Sequence, residues 1–175
     1  MRQLSATVDA LKRDLINELN RTATLEQRLH VIEKTLRKSS CPEGYIIWRE
    51  ICYKAFNTPK SFSDAAATCR ADGGTLAMPR DADTNAFLIS LYNSLRDDCP
   101  FWFGLHDQNE EGTFEWVDGS ALGPYNSWGQ GRPDNLEDNQ DCVVYSGLKN
   151  EKDKWNDEEC HKTFCFICQA APERP

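Results

Sequence analysis

The sequence has no run approaching the roughly 18 consecutive apolar residues that a membrane-spanning helix requires, so a span is not expected. Its opening stretch, MRQLSATVDALKRDL, is amphipathic rather than uniformly apolar and does not read as a secretory leader. The expectation is a chain whose leader has been removed, or a piece of a longer chain. Histidine is scarce, with only His30, His106 and His161, and no serine or cysteine around them carries a recognisable activation motif. An enzyme is therefore not expected. Cysteine is absent from the first 40 residues. A basic surface is missing from the rest: residues 41–175 carry a net charge of −11, residues 1–40 carry +3, and the whole chain carries −8. Nucleic acid, which needs a basic face, is excluded as a partner. An acidic domain suits a cation, although charge alone is equally explained by solubility.

All eight cysteines (41, 52, 69, 99, 142, 160, 165 and 168) follow residue 40. An even number in one segment reads as a disulfide framework formed in an oxidising, extracellular compartment. Cys165 and Cys168 have C-x-x-C spacing, but no second close pair completes a zinc knuckle and no strand–helix context fits a redox site.

Residues 4–36 carry Leu4, Val8, Leu11, Leu15, Leu25, Leu29, Ile32 and Leu36 at alternating steps of four and three. That spacing predicts a left-handed coiled coil. Glu18 and Thr22 take core positions at its centre, with Ile16 and Leu19 beside them able to shift the register. A single amphipathic helix packed on the remainder is the other reading. The narrowness of the apolar stripe favours the coiled coil. Asn20-Arg21-Thr22 matches the N-glycosylation pattern and faces outward from that seam.

Ser39, Ser40, Pro42 and Gly44 punctuate the chain after the helix. YIIWREICYKAF reads as two short strands joined by a turn. SFSDAAATCRADGG reads as a helix capped by Ser61 or Ser63 and stopped by Gly73. DADTNAFLISLYNSL is a second helix, with Ala86, Leu88, Ile89, Leu91, Tyr92 and Leu95 as its apolar face. FWFGLHD, TFEWVDG, DCVVYSG and TFCFICQ are strand candidates. Between TFEWVDG and Cys142 lies a long aperiodic run dense in Gly, Pro, Asn and Asp. A loop of that length in a compact domain is usually functional.

The ordered motifs CPEGYIIWREICYKAF, FWFGLHD, FEWVDGS, RPDN, QDCVVY, KWNDEEC and FICQ resemble the C-type lectin-like domain over residues 41 to about 170. The basic neck resembles those of oligomeric lectins such as collectins and tetranectin. The resemblance implies an α+β fold of two helices, short antiparallel sheets and a long irregular loop. Its organisation is a neck over 1–40, a lectin-like domain over 41–170 and a tail over 171–175. It further implies disulfides Cys41–Cys52, Cys69–Cys168 and Cys142–Cys160, leaving Cys99 and Cys165, which either join each other or stay free.

The resemblance also implies Ca2+ as cofactor, bound by oxygen ligands. The principal site maps onto Arg132-Pro133-Asp134, Gln140 and Asn156-Asp157, which are also the expected carbohydrate contacts, with Pro133 cis. Asp134 resembles the galactose-binding pattern. Arg132 fits no pattern, because a guanidinium has five donors and no acceptor and cannot ligate calcium. Either calcium binds weakly through Asp134, Gln140, Asn156, Asp157 and water, or Arg132 occupies the space, paired with Asp134 or Asp157. A local shift bringing Gln130 to the site is a third arrangement. An auxiliary site maps onto Asp107, Glu111, Asn135 and Asp141. Trp128, Trp155 and Tyr145 are expected in the core. The expected function is calcium-dependent glycan binding by a secreted protein, or by the ectodomain of an anchored parent, multiplied by a homo-oligomeric neck, a trimer. The alternative is a protein ligand, with calcium confined to the auxiliary site.

Overall fold

The computed structural model describes residues 2–36, 40–95 and 99–173. Two compact units result. The first is helix α1 (Arg2–Leu36), about 52 Å long at 1.5 Å per residue. Val8, Leu11, Leu15, Leu25 and Leu29 on it are each 45–64% exposed. Exposed apolar side chains at heptad spacing gain nothing from a lone helix, so the stability of such a helix must come from packing. At the centre the helix turns polar: Arg21 Nη1 meets Glu18 Oε1 at 3.2 Å, and Thr22 Oγ1 donates to the Glu18 carbonyl. No helix among the described residues is long and apolar enough to cross a membrane.

The second unit is an α+β fold. Its elements are β1 (Ile46–Trp48), β2 (Ile51–Lys60), α2 (Phe62–Ala71), β3 (Thr75–Leu76), α3 (Ala82–Asn93), β4 (Phe101–His106), β5 (Glu115–Trp116), a 3-10 turn (Leu136–Asp138), β6 (Cys142–Tyr145), β7 (Trp155–Glu158) and β8 (Phe164–Ala170). The strands form one connected sheet in the order β1-β2-β8-β4-β6-β7, with β3 on β8 and β5 on β4. Most strand pairs are antiparallel, as the resemblance implies, and one is not: β4 and β8 run parallel, Phe101 opposite Cys165 and Trp102 opposite Phe166. The physical reason is that β8 is shared, pairing antiparallel with β2 on its other edge. β7 carries no strand signal of its own in the sequence, because WNDE has no β-branched residue.

Side chains alternate across the sheet with period two. Phe101, Phe103, Leu105, Val143, Tyr145 and Ile167 enter one core with Leu88 and Tyr92 of α3. Trp102, Val144, Phe166 and Cys168 enter the other with Phe62, Ala65 and Cys69 of α2. Helix α2 is capped by Ser61, whose Oγ accepts from Asp64 N, and Gly73 follows it at φ +79°. Asp81 caps α3. Gly74 runs so close to β8 that a Cβ there would lie 2.1 Å from the Gln169 carbonyl oxygen.

Four disulfides join Cys41–Cys52, Cys69–Cys168, Cys142–Cys160 and Cys99–Cys165. The last ties Cys99, two residues ahead of β4, to Cys165 of β8. Ser40 and Glu173 bridge, the Glu173 amide donating to the Ser40 carbonyl at 2.8 Å, so the two ends of this unit meet. Leu95 is half exposed rather than part of the α3 core face.

Candidate functional site

The long connection from β5 to β6 is anchored from beneath by aromatic side chains. Trp155 and Tyr145 are fully buried, and Trp128 stands edge-on to Trp155 at 5.7 Å. The Gly129 amide donates to the Trp155 carbonyl and the Trp155 amide to the Ser127 carbonyl. All three aromatic residues therefore sit in or against the core, as expected.

Asn85 of α3, to which sequence reasoning gave no role, is the polar hub of this region. Its Oδ1 accepts from Tyr145 Oη at 2.8 Å and Trp155 Nε1 at 3.0 Å, and the residue is 5% exposed. Its signal in the sequence is positional: it lies three residues before Leu88 and seven before Tyr92, on the buried stripe.

Above this floor lies the RPDN turn, with a cis Arg132–Pro133 bond. Asp157, fully buried on β7, accepts the Asp134 amide (3.1 and 3.0 Å) and the Asn135 amide (2.6 Å). Asn135 Oδ1 accepts the Gln140 amide at 2.9 Å, and Gln140 Oε1 accepts the Leu136 amide at 2.8 Å. These bonds hold Asn135, Glu137 and Asp138 at φ between 40° and 62°. Such left-handed conformations are uncommon in residues other than glycine and persist where the surroundings over-determine them.

The six residues mapped to the principal site do not act as one set. Asn156 and Asp157 are successive strand residues and project to opposite faces. Asp157 reaches the turn, whereas Asn156 Nδ2 donates to Glu158 Oε1 at 3.1 Å. Arg132 Nη1 lies 2.6 Å from Asp134 Oδ1, and its Nε lies 3.7 Å from Glu151 Oε2. Glu151 is a second residue that sequence reasoning missed. It arrives through a turn in which its amide donates to the Leu148 carbonyl, and no local pattern announces it. Gln130 is exposed and joins none of these contacts.

Calcium does not fit the principal set as it stands. One carboxylate already carries a guanidinium, the other is committed to backbone amides, and a fixed positive charge repels a second cation.

The auxiliary set fits better. Asp107 is 3% exposed; its Oδ2 accepts the Gly112 amide at 2.8 Å, and its Oδ1 is buried with no hydrogen-bond partner. Its amide donates to the Asp141 carbonyl. Burial, then the Asp141 and Asp157 carboxylates, push the Asp107 carboxyl above its ordinary range, against the Gly112 amide. Glu111 is likewise raised, by desolvation and then by Asp107 and Asp141, while Asn135 bonds to it. Among the described residues, no three His, Cys, Asp or Glu side chains are already closed around one point. What the auxiliary set offers is hard oxygen donors with one orphaned buried oxygen and unrelieved mutual repulsion, which is the chemistry that a divalent cation relieves.

His106 is lowered by burial, against the pull of Glu115 and Asp141. It lines a cavity of about 610 Å³ with Ser61, Phe62, Arg70, Gln108 and His161. None of the mapped site residues lines that cavity.

The family model described as the lectin C-type domain matches residues 58–170. An alpha-N-acetylgalactosamine-specific lectin of Patiria pectinifera is 35% identical over 124 residues, covering 67% of this chain and 73% of that protein. A C-type lectin of Cerberus rynchops is 35% identical over 137 residues, covering 75% of this chain and 84% of that one. Among solved structures, the mouse scavenger receptor C-type lectin carbohydrate-recognition domain superposes with a TM-score of 0.68 at 25% identity, over 77% of this chain and 99% of that one.

Proposed function

The chain belongs to the lectin C-type domain family, and from that premise we propose that it is an extracellular, calcium-assisted glycan-binding protein whose ligand meets the RPDN turn and which works as a homo-oligomer, a trimer, through residues 4–36. The observation that carries this reading is the immobilised turn. A buried carboxylate, Asp157, holds the amides of Asp134 and Asn135, so the backbone that carries the Asp134 side chain is held in one place. Asp134 is the galactose-like member of the motif, and the related lectin from Patiria pectinifera is described as specific for an N-acetylated galactosamine. Galactose-type sugars are therefore the expected class.

Asp107, Glu111, Asn135 and Asp141 would hold calcium. When bound, it would neutralise these acids and tie the Asp107 loop to Asn135. Asn135 adjoins Asp134 in the chain, so order in the auxiliary set passes directly to the turn that meets the ligand. Gln140 and Asn156 act in this reading as supports of the loop and of β7, rather than as metal ligands. A single sugar contact is weak. Bundling the exposed seam of α1 makes later contacts local and raises avidity by roughly 10²–10⁴. The cysteine framework suits an oxidising compartment.

A second reading, a protein ligand with calcium confined to the auxiliary set, is favoured by the Arg132–Asp134 pair, which occupies the motif's exposed carboxylate. Binding of the full chain to galactose, mannose and fucose surfaces in calcium-containing buffer separates the two. Preference for the galactose surface supports the glycan reading. Failure to bind any of them, or a broader glycan panel, refutes it and leaves the protein ligand.

A further inference from the structure

The geometry points to a metal-free sugar contact: the Arg132–Asp134 pair itself recognises two neighbouring sugar hydroxyls, in the place where the family pattern sets a calcium ion. This rests on the glycan reading above and assigns the atoms that would carry it.

The chemistry required is small. Each hydroxyl of a vicinal diol both donates and accepts a hydrogen bond. A guanidinium supplies fixed N–H donors and a positive charge, and a carboxylate supplies acceptors. Together they offer the polarity that a diol needs without a metal. Arg132 and Asp134 have side chains 19% and 38% exposed and lie 2.6 Å apart, so the pair is reachable from solvent yet mostly enclosed. Enclosure strengthens a charged hydrogen bond by lowering the local dielectric.

Both partners are held in place. The Asp134 backbone is fixed by Asp157. The Arg132 amide donates to the Gly129 carbonyl at 3.1 Å, and its Nε faces Glu151. Gly129 lies close beneath: a Cβ at that position would lie 3.3 Å from both Arg132 Cγ and Glu151 Oε2, so the narrow space keeps the side chain extended along Glu151. Nη1 is paired with Asp134, while Nε lies 3.7 Å from Glu151 Oε2, an ion-pair distance that leaves this buried oxygen without a hydrogen bond. Among the described residues no hydrogen bond uses Nη2, so the fork retains donors for a ligand. A point charge on a flexible stem would not retain that geometry. The same pair explains why calcium does not fit here: Asp134 cannot serve a divalent ion while it neutralises a guanidinium 2.6 Å away.

The test uses the full chain in calcium-containing buffer, with methyl galactoside competing for a galactose surface and calorimetry counting calcium ions. The expected results are one calcium per domain and a loss of about tenfold or more in galactose affinity for Arg132→Lys, which keeps the charge but not the planar fork. Asp134→Asn should lose a comparable amount, and both variants should melt within a few degrees of the parent, because Asp157 still holds the turn backbone. Two calcium ions per domain, or Arg132→Lys binding galactose as tightly as the parent, overturns this inference and leaves the glycan reading standing. A parent chain that binds no sugar surface overturns both.

Discussion

Asp157 gives the sharpest test of how the ligand-facing turn is built. Its carboxylate is fully buried and accepts the amides of Asp134 and Asn135, the latter at 2.6 Å. Asp157→Asn preserves shape but turns one acceptor oxygen into an NH2 group facing an N–H. Oδ2 accepts both amides and Oδ1 only a second, longer branch from Asp134, so the Asn carbonyl can keep both partners; what is lost is the charge assistance of two bonds, about 1–1.5 kcal/mol each, and the Oδ1 branch, where a donor now faces a donor. Relaxation of the loop recovers part of this, because the turn reaches solvent within a few residues. A net loss of about 2–4 kcal/mol in the opening free energy of the turn follows. At roughly 1.4 kcal/mol per decade, the Asp134 and Asn135 amides should exchange roughly thirty- to several-hundred-fold faster. Amides on β4 and β8, which do not depend on the turn, should keep their protection. The assay is residue-resolved hydrogen exchange on the folded variant. Unchanged protection at 134 and 135 would refute the claim that this carboxylate holds the turn. Uniform loss across β4 and β8 would show instead that Asp157 supports the whole domain.

Three further expectations concern the neck, the auxiliary acids and the hub. Leu25→Asp puts a charge into the seam of α1 and should reduce the full chain from an oligomer to a monomer in sedimentation; a parent chain that already sediments as a monomer refutes the neck. Asp107 and Glu111 carry raised folded-state pKa values, so the folded domain binds protons more readily than the unfolded chain, and without calcium their contribution to stability rises as pH falls. Bound calcium competes with those protons, so the gain in Tm on adding calcium should shrink between about pH 7 and about pH 5; a gain that stays flat over that window removes these acids as ligands. Asn85→Ala strands the Tyr145 hydroxyl and the Trp155 N–H in the core and should cost about 2–4 kcal/mol in denaturant unfolding, with Asn85→Asp, which keeps an acceptor, costing less. A loss below about 1 kcal/mol for the alanine variant would show that the hub is dispensable.

The elements were legible because each is encoded locally. A serine three residues ahead of an aspartate and a glycine past the last turn delimit α2. Short runs rich in aromatic or β-branched residues, bounded by turn formers, mark β4, β6 and β8. A four-three stripe marks α1. The motif order carried the resemblance and, with it, the mapping of every candidate site residue. What stayed illegible has one physical origin: its partners are far apart in the chain. WNDE became a strand because β6 offered it a ladder, not because of its own propensity. Asn85 meets Trp155 across 70 residues, and Glu151 reaches Arg132 across a turn that neither side predicts.

By itself, the sequence determined that an arginine stands where a calcium ligand is expected, and that acids and amides crowd around it. It left open whether that arginine is idle, displaced or engaged. Tertiary structure alone decided this, by bringing Asp134 and Glu151 to the guanidinium and committing Asp157 to the backbone. The reason is electrostatic: a charge acts on whatever the fold brings within a few ångströms of it, and chain order does not specify those neighbours.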